Sequence, residues 1–115
     1  MPKSPQIRLR FALSPTVAMG PGKADLLGHI VDTGSIAAAA RKMDMSYRRA
    51  WLLLAELNSC FKLPVVETAK GGRGGGGGAV LTPLGLDLLK RYRAMVAKTE
   101  RAVAADFKAL STNFP

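Results

Sequence analysis

Between residues 7 and 13 the chain reads IRLRFAL, with apolar Ile7, Leu9 and Phe11 alternating with Arg8 and Arg10. A period of two sends the apolar side chains to one side of an extended segment and the charges to the other, which predicts a half-buried strand over 7–13. The Pro- and Gly-containing stretch SPTVAMGPG reads as a link, after which Leu26, Leu27, Ile30 and Val31 return at helical spacing. They predict a helix over 23–33, with Gly34 as its stop. Ser35 can offer its oxygen to the free N–H groups of a second helix, 35–43, whose run of alanines permits close approach.

Asp44 and Met45 make a short turn, and Ser46 repeats the capping role for a third helix, 46–61, ended by Leu63-Pro64. At about 100° per residue, Tyr47, Ala50, Leu53, Leu54, Leu57 and Phe61 cluster on one face of it, which predicts the core side. Arg48, Glu56 and Ser59 fall on the other side, together with Leu52, which packing within one domain does not explain. The runs VVETA and AVLT on either side of KGGRGGGGG predict a hairpin over 65–82. Thr82 and Pro83 then open a last helix, 83–111. There Leu89, Tyr92, Val96, Thr99, Val103, Phe107 and Leu110 recur at three- and four-residue steps, a near-heptad seam that suggests a partner helix. Strand, three helices, hairpin and long helix define a mainly α chain with a small β-hairpin wing. That is the order of a winged helix-turn-helix, expected as one domain over 1–115.

Charge adds a partner to this picture. Lys and Arg number 17 against 8 Asp and Glu, a formal +9, which suits a polyanion such as nucleic acid. No apolar run approaches the length of a membrane span, and Pro15 interrupts what faintly resembles a signal peptide, so a cytoplasmic protein is expected. One cysteine, Cys60, and one histidine, His29, make neither an internal disulfide nor a zinc ligand set, and no metal or cofactor is expected. His29 reads as a packing or surface residue. The acids are scattered through helical repeats and no nucleophile is paired with a base, so an enzyme is not expected.

Candidate chemistry concentrates at the start of the third helix, because the second helix of such a motif enters the major groove by its N-terminal end. Ser46, Tyr47, Arg48 and Arg49 lie there, and arginine can present paired donors to guanine or clamp a phosphate. Ser35 joins the candidate DNA contacts. Arg41 and Lys42 are either phosphate contacts or charges that suit a helix C-terminus. The glycines from Gly71 to Gly78 lie between two strand-like runs instead of joining a strand to a helix. They read as the wing, with Lys70 and Arg73 reaching DNA, and not as a nucleotide-cradling loop.

From about residue 23 to 90, through GHIVDTGSI, AARKMDMSYRRAW and above all ETAKGGRGGGGGAVLTPLG, the chain resembles the N-terminal DNA-binding domain of the ModE family of molybdate-dependent transcription regulators. More distantly it is similar to the winged helix of LysR-type regulators. The resemblance implies that Ser46 to Arg49 belong to a recognition helix and Lys70 and Arg73 to a wing. It also implies that the first strand and terminal helix belong to a homodimer, for which the seam supplies Leu89, Tyr92, Val96, Val103, Phe107 and Leu110 as the expected dimerisation residues. Full-length members continue into small β-barrels that bind molybdate, whereas this sequence ends at Pro115, so no molybdate binding by these residues is expected. Double-stranded DNA is the expected partner. A protein adaptor that keeps the fold is the alternative. Membrane-surface binding is disfavoured because Lys90, Arg91, Arg93, Lys98, Arg101 and Lys108 are spread around the last helix.

Overall fold

The computed structural model describes residues 5–69 and 78–115. Its first elements are a minimal antiparallel hairpin, β1 (Phe11–Ala12) and β2 (Ala18–Met19), with Phe11 opposite Met19 and Ala12 opposite Ala18. The expected strand over 7–13 is thus reduced to two paired residues, and the supposed link supplies the returning arm. The cause is local. Ser14 Oγ accepts from the Thr16 and Val17 amides at 3.3 and 3.0 Å, closing a turn, while residues 5–10 alternate half-buried and exposed without a strand partner. The Leu9 carbonyl is instead taken by a side chain, the Tyr92 hydroxyl, which donates to it at 2.6 Å.

Three helices follow: α1 (Pro21–Thr33), α2 (Ile36–Lys42) and α3 (Tyr47–Ser59). The first begins two residues before the expected position 23, because Pro21 supplies a preset φ at a position that needs no N–H donor. Gly34 ends it in the left-handed region, at φ 68°, with its amide donating to the Ile30 carbonyl at 2.8 Å. A second hairpin pairs β3 (Val66–Ala69) with β4 (Gly78–Leu81), Val66 facing Leu81 and Ala69 facing Gly78.

The core lies where α1, α2 and α3 meet the base of this second hairpin and the first turns of α4 (Pro83–Ala102). Met19, Leu26, Leu27, Ile30, Leu57 and Val65 are its largest fully enclosed side chains. Ala39, Ala40 and Ala50 are also enclosed, which is how the alanine-rich α2 lets its neighbours close in on it.

The expected helix over 83–111 is two helices, since Val103 departs from helical geometry (φ −108°, ψ 8°) and separates α4 from α5 (Ala104–Ser111). No glycine or proline marks the break in the sequence. It falls beyond Val96, the last residue of α4 packed against the core, so the two halves of the apparent seam have different surroundings. Leu89 and Tyr92 are buried inside the chain itself, at 4% and 5% exposure, Tyr92 lying beside Phe11 with ring centroids 6.3 Å apart. They are core residues, unavailable to a partner helix. Val103 and Phe107 are half-buried and Leu110 is exposed.

Candidate nucleic-acid interface

The surface that can meet DNA is built on the α2–turn–α3 unit. Ser35 begins α2 by accepting from the Ala38 amide at 3.1 Å, and Ser46 begins α3 by accepting from the Arg49 amide at 3.1 Å. Both hydroxyls therefore satisfy orphan helix donors, and any contact they make with a phosphate is additional to that duty. Between the two helices Met45 donates its amide to the Ala40 carbonyl at 3.0 Å, and Asp44 adopts φ 55°, the one positive φ outside glycine among the described residues. Asparagine and aspartate tolerate this region better than other side chains, so the tight turn is compatible with the sequence.

Arg41, Lys42, Ser46, Tyr47, Arg48 and Arg49 are all exposed, while Ser35 is half-buried. Tyr47 is a correction: predicted on the core face, it is 51% exposed. It sits at the edge of the apolar arc and in the first turn of α3, where the helix projects beyond the enclosed core. Ala50, Leu54 and Leu57 of that arc are buried, with Leu53 and Phe61 packed partly against them. The one salt bridge among the described residues joins Arg91 to Asp87 at 2.8 Å, so the arginines of the motif have no carboxylate partner there. Their charge faces solvent.

Two features escaped the reading of the sequence. Trp51 is 49% exposed on α3, beside Leu52 at 46%. The same angular bookkeeping that places Leu52 outside puts Trp51 about 100° from Ala50, off the core face, so the signal was present. Asn58 also goes unremarked in the sequence, and it ties α3 to the wing. Its Oδ1 accepts from the Val65 and Val66 amides at 2.8 and 3.2 Å, and its Nδ2 donates to the Val66 carbonyl at 3.2 Å.

The other wing strand is fixed as firmly. The Ala79 amide donates to the Gly34 carbonyl at 2.9 Å, tying β4 to the corner between α1 and α2. The Thr82 hydroxyl donates to the Pro64 carbonyl at 2.7 Å and accepts from the Gly85 amide at 3.1 Å. The bases of both wing strands are thus held by α3 and α4. Lys70 and Arg73, the expected wing contacts, lie outside the described residues.

A helix-turn-helix followed by an antiparallel hairpin and a docked helix is a winged helix-turn-helix, the class expected from the order of elements. No family model matches the chain. Individual relatives do. It is 36% identical over 110 residues, 94% of this chain, to the DNA-binding transcriptional dual regulator ModE of Escherichia coli K12. It is 42% identical over 93 residues, 81% of this chain, to the molybdenum-pterin-binding protein MopB of Rhodobacter capsulatus. A molybdenum transport protein ModE of Herbaspirillum seropedicae is 41% identical over 70 residues, 61% of this chain. The chain is a ModE-family N-terminal domain by these likenesses, as the glycine-rich hairpin motif implied. It spans 42% of the Escherichia coli relative and 34% of MopB. Among the described residues no helix is long and apolar enough to cross a membrane.

Proposed function

We infer that this chain is a sequence-specific DNA-binding transcriptional regulator that acts as a homodimer. The observation that carries the inference is the first turn of α3, where Arg48 and Arg49 stand exposed and free of carboxylates among the described residues, next to Arg41 and Lys42 of α2. In this geometry α3 is the groove helix, Arg48 and Arg49 read bases or clamp phosphates, and α2 crosses the backbone. The wing, anchored at Asn58 and Thr82, adds contacts through Lys70 and Arg73. Dimerisation falls to the half of the seam that the core does not use, Val103, Phe107 and Leu110, with Val96 at its edge.

The test is selection from a random duplex library with the 115-residue chain, followed by Arg48→Ala. The wild type should enrich a two-fold symmetric site. The variant should lose about 1–3 kcal/mol on that site, the worth of a bidentate base contact, and less on scrambled DNA. Equal loss on both would make Arg48 a phosphate contact only, and failure to enrich any sequence would favour the adaptor role.

A further inference from the structure

The outer face of α3 is not uniformly polar. One helical turn beyond Arg48 it presents Leu52 and Trp51, each about half exposed, with Tyr47 51% exposed one turn before Trp51. Tyr47 and Trp51, four residues apart, share one side of α3, and Leu52 stands about 100° further round, so apolar surface extends over more of this helix than scattered exposure would leave. Trp51 also leans on the wing side, bordering a small cleft with Ile36, Asn58, Val66 and Thr68. Leu52 has no such neighbour: it points outward, on the face of Arg48 and Ser59.

Resting on the DNA-reading role inferred above, we propose that Leu52, flanked by Trp51, is a specificity-determining residue that packs against thymine C5-methyl groups in the major groove. The charges decide the occupant. Arg48 and Arg49 of the same helix are exposed, as are Arg41 and Lys42 of α2, and this cationic surface fits a polyanion and repels a basic partner. On the edges of DNA bases in the major groove the exposed apolar group is the thymine methyl, all others being hydrogen-bond donors or acceptors. Reach agrees. At about 1.5 Å of rise per residue Leu52 lies one turn, roughly 6 Å, further along α3 than Arg48 and on the same side of the helix. A base contact by Arg48 thus leaves Leu52 over a neighbouring base pair. Glu56, a turn further on, carries a charge that phosphates repel, so close approach to the groove ends near Leu52.

The test uses the full 115-residue chain and the duplex enriched by selection, resynthesised with each thymine in turn replaced by deoxyuracil, which removes one methyl group and leaves pairing intact. Wild-type protein should bind about fourfold more weakly at one or two positions per half-site, the worth of one buried carbon. Leu52→Ala should bind the thymine duplex more weakly and be indifferent to uracil at those positions, while Leu52→Met keeps the dependence. Thermal unfolding of both variants should match the wild type, since the side chain lies outside the core. Enrichment of a sequence with no uracil sensitivity, or a sensitivity that survives Leu52→Ala, overturns the assignment and leaves DNA reading intact. A library from which nothing is enriched, with Leu52→Ala abolishing capture of a protein instead, overturns both.

Discussion

Removing the Asn58 side chain should unfasten the wing from α3. Asn58→Ala leaves three backbone groups without their partner: the amides of Val65 and Val66 and the carbonyl of Val66. Val65 is fully enclosed and Val66 nearly so, at 6% exposure, which limits rescue by water on the amide side. At about 1 kcal/mol net per hydrogen bond the loss sums to about 3 kcal/mol, and the half-buried position of Asn58 reduces this to about 2 kcal/mol. Unfolding entropy of roughly 2.1 cal/mol/K per residue amounts to about 0.24 kcal/mol/K for 115 residues. The melting temperature should therefore fall by about 8 °C. Asn58→Asp keeps the two accepting bonds but sets a carboxylate against the Val66 carbonyl, and should fall between wild type and Asn58→Ala. Calorimetry and urea titration of the three proteins provide the check. An Asn58→Ala variant that melts with the wild type, or an Asp variant below the Ala variant, would refute the role given to these bonds.

Gly85→Ala should be worse than either, costing about 3 kcal/mol or more by denaturant midpoint, because a methyl there meets the Val65 carbonyl oxygen, a backbone atom that cannot swing aside. Tyr92 gives a pH signature. Burial, and secondarily the Asp25 carboxylate, raise its folded pKa above the ordinary 10.0. The neutral phenol is the form that the fold favours, so its contribution is complete below pH 10 and is lost as pH rises through the folded value. Tyr92→Phe should cost about 1 kcal/mol at neutral pH through the lost bond to Leu9 and flatten the alkaline decline, as read by urea titration across the range. Finally, Phe107→Asp with Leu110→Asp should give monomers by sedimentation with an unchanged melting temperature of the monomeric body. Leu89→Asp should unfold the chain, since Leu89 is 4% exposed in its own core.

Much of this fold was legible in the sequence because its signals are local. Ser35, Ser46 and Thr82 announce helix starts through chemistry confined to one turn, and Gly34 announces a stop in the same way. The motif arginines follow from Ser46, since a cap fixes which side chains occupy the first turn of α3. Long-range competition was not legible. Residues 7–13 alternate as a strand should, yet Tyr92, 83 residues from Leu9, takes the carbonyl that a neighbouring strand would have used. The seam from Leu89 to Leu110 has one period, and periodicity cannot say that its first turns face the chain's own core while the rest leave it. Asn58 was opaque for a related reason: an asparagine late in a helix ordinarily reads as a weak helix former, and its partners are set by where the chain returns.

The break at Val103 leaves α5 as a short helix of 8 residues with no buried side chain. Isolated helices of fewer than about 12–15 residues are marginal in water, so α5 has little reason of its own to stay wound. Its amide hydrogens then become a gauge of assembly. In dilute solution they should exchange with deuterium almost as fast as those of a free peptide, while the amides of α1 and α3 exchange at the pace of global unfolding. Raising the protein concentration should slow exchange in α5 alone if a second copy covers Phe107 and Leu110. The concentration of half-protection then measures the dissociation constant from inside the molecule, with no label attached.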